Sequence, residues 1–230
     1  MAARPPALPE ALVYADQVGA QALCFAATEA ASDVSGGNVR LAKELETDAR
    51  LYGWLTLSVH QTEPSLEACR RFLMRSKWIG SRFECPNDND NLHVGGGPEI
   101  LTALRRYGKP ILVTVGTTGA LDATINAARE IPGLRFLISP TCEELVADAI
   151  PAMREVLNTS LVPIAAYVER DLIARAAGTL GERGERRVLW ASDWGRFHAG
   201  AALGMLRDAQ ITNPQRERIA YRNALELLPN

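Results

Sequence analysis

Lysine is scarce in this chain: Lys43, Lys77 and Lys109 stand against 22 arginines in 230 residues. The basic and acidic totals almost cancel, 25 against 27, for a net charge of −2. No global positive field therefore exists to hold a nucleic acid or an anionic membrane, and neither is expected as a partner. The four cysteines, Cys24, Cys69, Cys85 and Cys142, lie far apart and form no CxxC. That spacing excludes a disulfide framework and a zinc knuckle, and it fits a reducing, cytoplasmic setting. No apolar run approaches the roughly 18 residues that a membrane-spanning helix needs. The opening Met1-Ala-Ala-Arg-Pro-Pro6 lacks the apolar segment of a secretory leader. Apolar residues make up 47% and charged residues 23%, enough to build one core over residues 1–230 and too apolar for a disordered chain.

Short β-type runs alternate with longer helical ones. Strands are expected at residues 21–28, 52–59, 78–85, 110–115, 135–139, 157–161 and 187–192. Helices are expected at 9–18, 38–50, 62–76, 98–107, 118–130, 141–156, 168–177, 199–209 and 214–227. Thr141-Cys-Glu-Glu144 and Thr212-Asn-Pro-Gln215 carry helix-start chemistry. Regular alternation demands parallel strands joined by right-handed crossovers. The strands read as near-continuous apolar runs, as parallel strands buried on both faces do. Two α/β architectures satisfy this order: a doubly wound sheet, or a (β/α)₈ barrel one strand short. A doubly wound sheet advertises its ligand with a Gly-rich turn after an early strand. The one candidate, Gly95-Gly-Gly97, is neither GxGxxG nor GxxxxGK[ST], and reads as a flexible loop before a Pro-started helix.

Several runs, taken in order, resemble the amidohydrolase-related family of metal-dependent TIM-barrel hydrolases and decarboxylases. Arg187-Val-Leu-Trp-Ala-Ser-Asp-Trp194 resembles its last barrel strand, and Ile219-Ala-Tyr-Arg-Asn-Ala-Leu225 its final helix. Gly36-Gly-Asn38 with Leu41-Ala-Lys-Glu-Leu45, Gly53-Trp-Leu-Thr-Leu57, Ile79-Gly-Ser-Arg-Phe83, Tyr107-Gly-Lys-Pro-Ile-Leu-Val113 and Ile131-Pro-Gly-Leu-Arg-Phe-Leu137 resemble the units between. The resemblance covers about residues 10–228. It implies a TIM-barrel-like fold, here incomplete, with about seven parallel strands and no counterpart of the family's first strand.

The resemblance also implies a small-molecule substrate, a pocket at the C-terminal ends of the strands and a divalent metal, zinc or manganese. The ligand set is where this chain departs. The His-x-His of the first strand is missing, and the fifth- and sixth-strand histidines fall on Thr114 and on Ser139 or Pro140. Asp193 matches the eighth-strand acid, as metal ligand or as general base toward a water. Two readings remain open: a hydrolase-like enzyme, or a catalytically degenerate homologue that binds a ligand or partner. The absent strand leaves open edges, which an upstream start, a second copy of the chain in a homodimer or the N-terminal segment would cover.

Arg82 and Glu84 alternate on one strand and share a face with Trp78 and Gly80, so a charged pair is expected inside the barrel mouth. Arg82 would bind an anionic group on the substrate. Thr114, Ser139, Trp194 and His198 join the expected pocket lining. His60, His93 and His198 all come after strand ends, but no two stand at metal-motif spacing. Cys142, at a helix start, reads as a buried small thiol. Asn87-Asp-Asn-Asp-Asn91 lacks the glycine and distal glutamate of a calcium loop. The arginine clusters, including Arg183 to Arg187, read as helix ends and solvated faces.

Overall fold

The structure is a computed structural model that describes residues 8–163, 170–181, 183–193 and 199–228. The chain runs α1 (Leu8–Val18), β1 (Leu23–Ala26), α2 (Val34–Leu45), β2 (Leu51–Leu57), α3 (Thr62–Phe72), β3 (Trp78–Cys85), α4 (Gly97–Leu104) and β4 (Ile111–Val115). It continues through α5 (Thr118–Glu130), β5 (Phe136–Pro140), α6 (Glu143–Met153), β6 (Thr159–Leu161), α7 (Arg170–Thr179), α8 (Ala199–Asp208), α9 (Asn213–Glu217) and α10 (Asn223–Leu225). A π-helical turn, Arg218–Arg222, joins the last two helices. Six parallel strands pair strictly in sequence order, β1 to β6. This is the incomplete barrel that the alternation implies. Among the described residues no helix is long and apolar enough to cross a membrane.

The expected seventh strand is a correction. Among the described residues, 187–192 hold isolated bridge positions rather than a strand: Val188 pairs in parallel with Leu161, with Leu189 N–H donating to Leu161 O at 2.8 Å, and Ala191 is a second bridge position. Arg187 ends a 3₁₀ turn, Gly184–Arg187, which shortens the run at its start, and the Trp190 N–H, on the edge away from β6, donates to Ile219 O at 2.9 Å. The π turn makes that carbonyl available, because its hydrogen-bond register departs from the α-helical ladder. The final helix thus binds the edge of this segment that faces away from β6.

The sheet has a helix-facing side and an inner side. Leu55, Leu57, Phe83, Cys85, Val113, Val115, Phe136 and Ile138 pack with the helices in one large core. Trp54, Ile79, Leu137, Val162 and Leu189 form a separate inner cluster, with Tyr52, Leu112, Ala191, Ala224, Leu227 and Leu228 against it. Period-2 alternation assigns most of these sides. Trp78 breaks it: the register slips between Gly53 and Trp54, which pair with Trp78 and Gly80 and leave Ile79 as the extra residue. A bulge re-aims the side chains beside it. Trp78 therefore packs on Phe72 among the helices, and Ile79 turns inward, contrary to the strict alternation.

Helix α2 starts at Val34 rather than at Asn38 as expected. Asp33 caps it, accepting from Gly36 N–H at 2.8 Å, a contact that offsets an orphan donor of the first turn. Gly37 is required by packing, since a Cβ there would lie 2.6 Å from Ala30 Cβ. Helix α6 is capped by Cys142 rather than Thr141.

A second pattern is absent from the sequence signals. Just before successive strands, a cation or amide binds the carbonyls of the preceding turn. Lys77 donates to Asp48, Ala49 and Leu51 O. Asn158 donates to Ala128, Ile131 and Leu134 O, and Lys109 to Arg75 and Trp78 O. Arg50 pairs with Asp48 at 2.9 Å and holds its carboxyl down at about 2. Arg187 is the most connected of the set. It donates to Met153, Val156, Thr159 and Leu180 O and to Thr159 Oγ1 at 2.7–3.1 Å. Its reading as a solvated charge is corrected: it is a half-buried hub joining the ends of α6 and α7 to β6.

Candidate functional site

The C-terminal ends of the strands open into loops that lock onto one another. Gly96 N–H donates to Val59 O at 2.8 Å, and a Cβ on Gly96 would sit 1.9 Å from Thr62 Oγ1. Gly97 N–H donates to Val94 O. The triple glycine is therefore a close-packed contact with the β2–α3 turn, not a flexible loop, and two of its N–H groups are consumed. Asp88–Asp90 is a 3₁₀ turn capped by Asn87. Asp88 accepts from Thr117 Oγ1 at 2.5 Å, and Asp90 pairs with His60 Nε2 at 2.8 Å. His93 Nε2 lies 3.0 Å from Ala123 O on α5. His60 and His93 are thus committed to different loop contacts.

The inner face carries the polar candidates in register. Arg82 pairs across the ladder with Thr56 and Leu112. Glu84 pairs with Thr114, and Thr114 with Ser139. Glu84, Thr114 and Ser139 therefore occupy one rung across three adjacent strands, one step above Arg82, as the period-2 reading requires. Ser139 is buried and Thr114 half-buried. Arg82 Nη2 lies 2.9 Å from Glu84 Oε1, with the two side chains 15% and 31% exposed. That partial burial leaves the pair in a medium where its attraction is less screened than on an open surface. The charges neutralise one another, and their remaining edges line the mouth of the inner face.

Asp193 comes just after Ala191, a residue packed on the inner cluster, and is half-buried. Its φ is 48°, the only non-glycine positive value among the described residues. A left-handed backbone costs a non-glycine residue of order 1 kcal/mol and concentrates where a side chain must be aimed. Asp193 thus sits on a left-handed turn just beyond the Ala191 bridge position. Trp194 and His198 lie outside the described residues. Cys142 is half-buried beside Glu144, whose carboxyl is held down by backbone and Cys142 hydrogen bonds.

No family model matches the chain, and no curated protein does. Solved structures do. A dihydroxybenzoic acid decarboxylase from Polaromonas sp. JS666, with bound manganese and 2-nitroresorcinol, superposes with a TM-score of 0.76 at 11% identity, over 97% of this chain and 86% of that one. A 2,6-dihydroxybenzoate decarboxylase from Rhizobium gives 0.74 at 13% identity, over 97% and 88%. A 5-carboxyvanillate decarboxylase from Sphingomonas paucimobilis gives 0.69 at 14% identity, over 97% and 83%. The fold is therefore the one these decarboxylases share, here as an incomplete barrel of six parallel strands alternating with helices.

Among the described residues, the donor set does not fit a metal such as the manganese bound in the Polaromonas decarboxylase. Thr114 and Ser139 stand at the strand-end positions that the resemblance assigns to histidine ligands. Among the described residues no three of His, Cys, Asp and Glu come together as a metal group. Two neutral hydroxyls, Asp193 and a Glu84 already paired with Arg82 make a poor match to a cation that needs several preorganised ligands.

Proposed function

We propose that the protein is a small-molecule hydrolase-like enzyme that works at the C-terminal end of the barrel without the metal of its fold relatives. The observation that supports this most is the placement of Asp193: a carboxylate on a strained turn at the strand end, above an inner face that carries an Arg82–Glu84 pair and a rung of hydroxyls. Strain of that kind is retained where a side chain's aim matters.

In this reading Arg82 holds an anionic group of the substrate with the guanidinium edge that Glu84 does not occupy. Asp193 accepts a proton from a water as the water oxygen bonds to the electrophilic carbon. The bond to the leaving group breaks, and the same proton passes from Asp193 to the departing nitrogen or oxygen. Thr114 and Ser139 offer neutral hydrogen bonds beside the reacting centre. Small aromatic acids, the substrates named for the similar structures, suit an arginine above an inner wall of Trp54 and Leu112 and head the compounds to screen.

One observation favours a second reading, a binding protein that has lost catalysis: the hydroxyls of Thr114 and Ser139 stand at the ligand positions. The screen separates the two. Esters, amides and carboxylates of small aromatic acids are incubated with the protein in chelator, and products are followed by chromatography. Turnover that falls by at least about 100-fold in Asp193→Asn supports the enzyme. Saturable binding of the same compounds without products supports the binding protein and overturns the enzyme.

A further inference from the structure

A second cleft opens at the opposite end of the barrel, around the N-terminal ends of β3, β4 and β5. Its volume is about 310 Å³, and it is lined by Trp78, Ile79, Lys109, Pro110, Arg135 and Leu227, among others. The floor is apolar. Ile79 belongs to the inner cluster, and Leu227 packs against that cluster from the C-terminal segment. The walls carry two cations. Lys109 Nζ donates to Arg75 O and Trp78 O. Arg135 places Nε and Nη2 on a single acceptor, Ser160 Oγ, at 3.3 and 3.2 Å. Its Nη1 has no partner among the described residues. The one acid at the cleft, Glu226, is paired 2.6 Å from Arg218.

We propose that this cleft binds a small monocarboxylate with an apolar body, the carboxylate on Arg135 and Lys109 and the body over Ile79 and Leu227. The cleft has the make-up of a ligand pocket: an apolar floor and two cationic side chains in its lining, at the lower end of the usual size range. Arginine's planar fork matches a carboxylate, and one edge of this fork is open. Burial pushes Lys109 and Arg135 below their usual values, with Glu226 opposing the shift at Arg135. That direction marks positive charge which the protein only partly neutralises and which an anion would relieve. The cleft is independent of the site at the other strand ends. Nothing in the chemistry assigned to Asp193 requires it.

The test uses hexanoate as probe and hexanamide as its neutral counterpart, with binding read by calorimetry and by the thermal midpoint of the whole chain. Saturable hexanoate binding is expected. Arg135→Gln should weaken it about tenfold, Asp193→Asn should leave it unchanged, and hexanamide should bind at least about tenfold less tightly. Leu227→Trp, which fills the floor without touching either cation, should give the same loss and carries the test should Arg135→Gln fail to fold. The proposal is overturned by absence of saturable binding, by equal affinity for the amide, or by loss in Asp193→Asn with Arg135→Gln unaffected.

Discussion

Arg187→Ala should cost about 4 kcal/mol of stability, the largest single loss outside the apolar core. The guanidinium donates to four carbonyls and one hydroxyl within 3.1 Å. Those carbonyls close the last turns of α6 and α7 and the approach to β6. Charged donors are worth about 1.5–3 kcal/mol each when fully used, and burial of the cation offsets part of that sum. The same burial lowers the Arg187 pKa, with Arg135 adding to the shift. Lysine cannot substitute: one ammonium carries three donors on a flexible stem, against five in a fixed fork. Arg187→Lys should recover less than half of the loss. Urea unfolding at an unchanged slope is the measurement. A loss under about 1 kcal/mol for the alanine variant would mean that these carbonyls are solvated and the hub is incidental.

Asn223→Leu is the second large effect, at about 3 kcal/mol. The Asn223 side chain is fully buried. Its amide donates to Glu185 O at 2.7 Å and Val188 O at 2.6 Å, and its oxygen accepts from Arg218 Nη1 at 3.2 Å. An isosteric apolar side chain strands two carbonyls and one guanidinium edge. The residue ties the final helix to the segment before Asp193, so its loss reaches the candidate site. Hydrogen exchange at the Leu189 and Trp190 amides, which bond Leu161 O and Ile219 O, should accelerate along with the drop in midpoint. Unchanged exchange would show that the segment is held by packing alone.

Arg187 and Asn223 also mark the boundary between what is legible in the sequence and what is not. The parallel order, and the full span of β3 at Trp78–Cys85, come from apolar runs and alternation. Alternation likewise puts Arg82 and Glu84 on one face, and the structure sets Glu84 in register with Thr114 and Ser139. Trp78 departs from it because a bulge depends on tertiary register, which a period of two does not encode. The apolar run at 187–192 reads as a seventh strand, yet among the described residues only isolated bridges at Val188 and Ala191 mark it, while its Trp190 N–H bonds the final helix. The clamps at Arg187 and Asn158 are invisible in sequence because a clamp is defined by the carbonyls around it. All but Leu180 O, seven residues before Arg187, come from positions 24 to 34 residues away. Asn223 stands in the sequence as part of a resemblance, and only the structure gives its physical task.

The proposed site rests on Asp193 and, among the described residues, has no group of three His, Cys, Asp or Glu to hold a divalent metal. Elemental analysis of the purified protein, after incubation with Mn²⁺ or Zn²⁺ and removal of free ion, tests this. Far less than one equivalent of retained metal is expected, with no rise in thermal midpoint, since an ion that bound the folded state would raise it by mass action. One equivalent retained by the natural chain, and lost in Asp193→Ala, would show instead that the hydroxyl-bearing barrel still builds a metal centre.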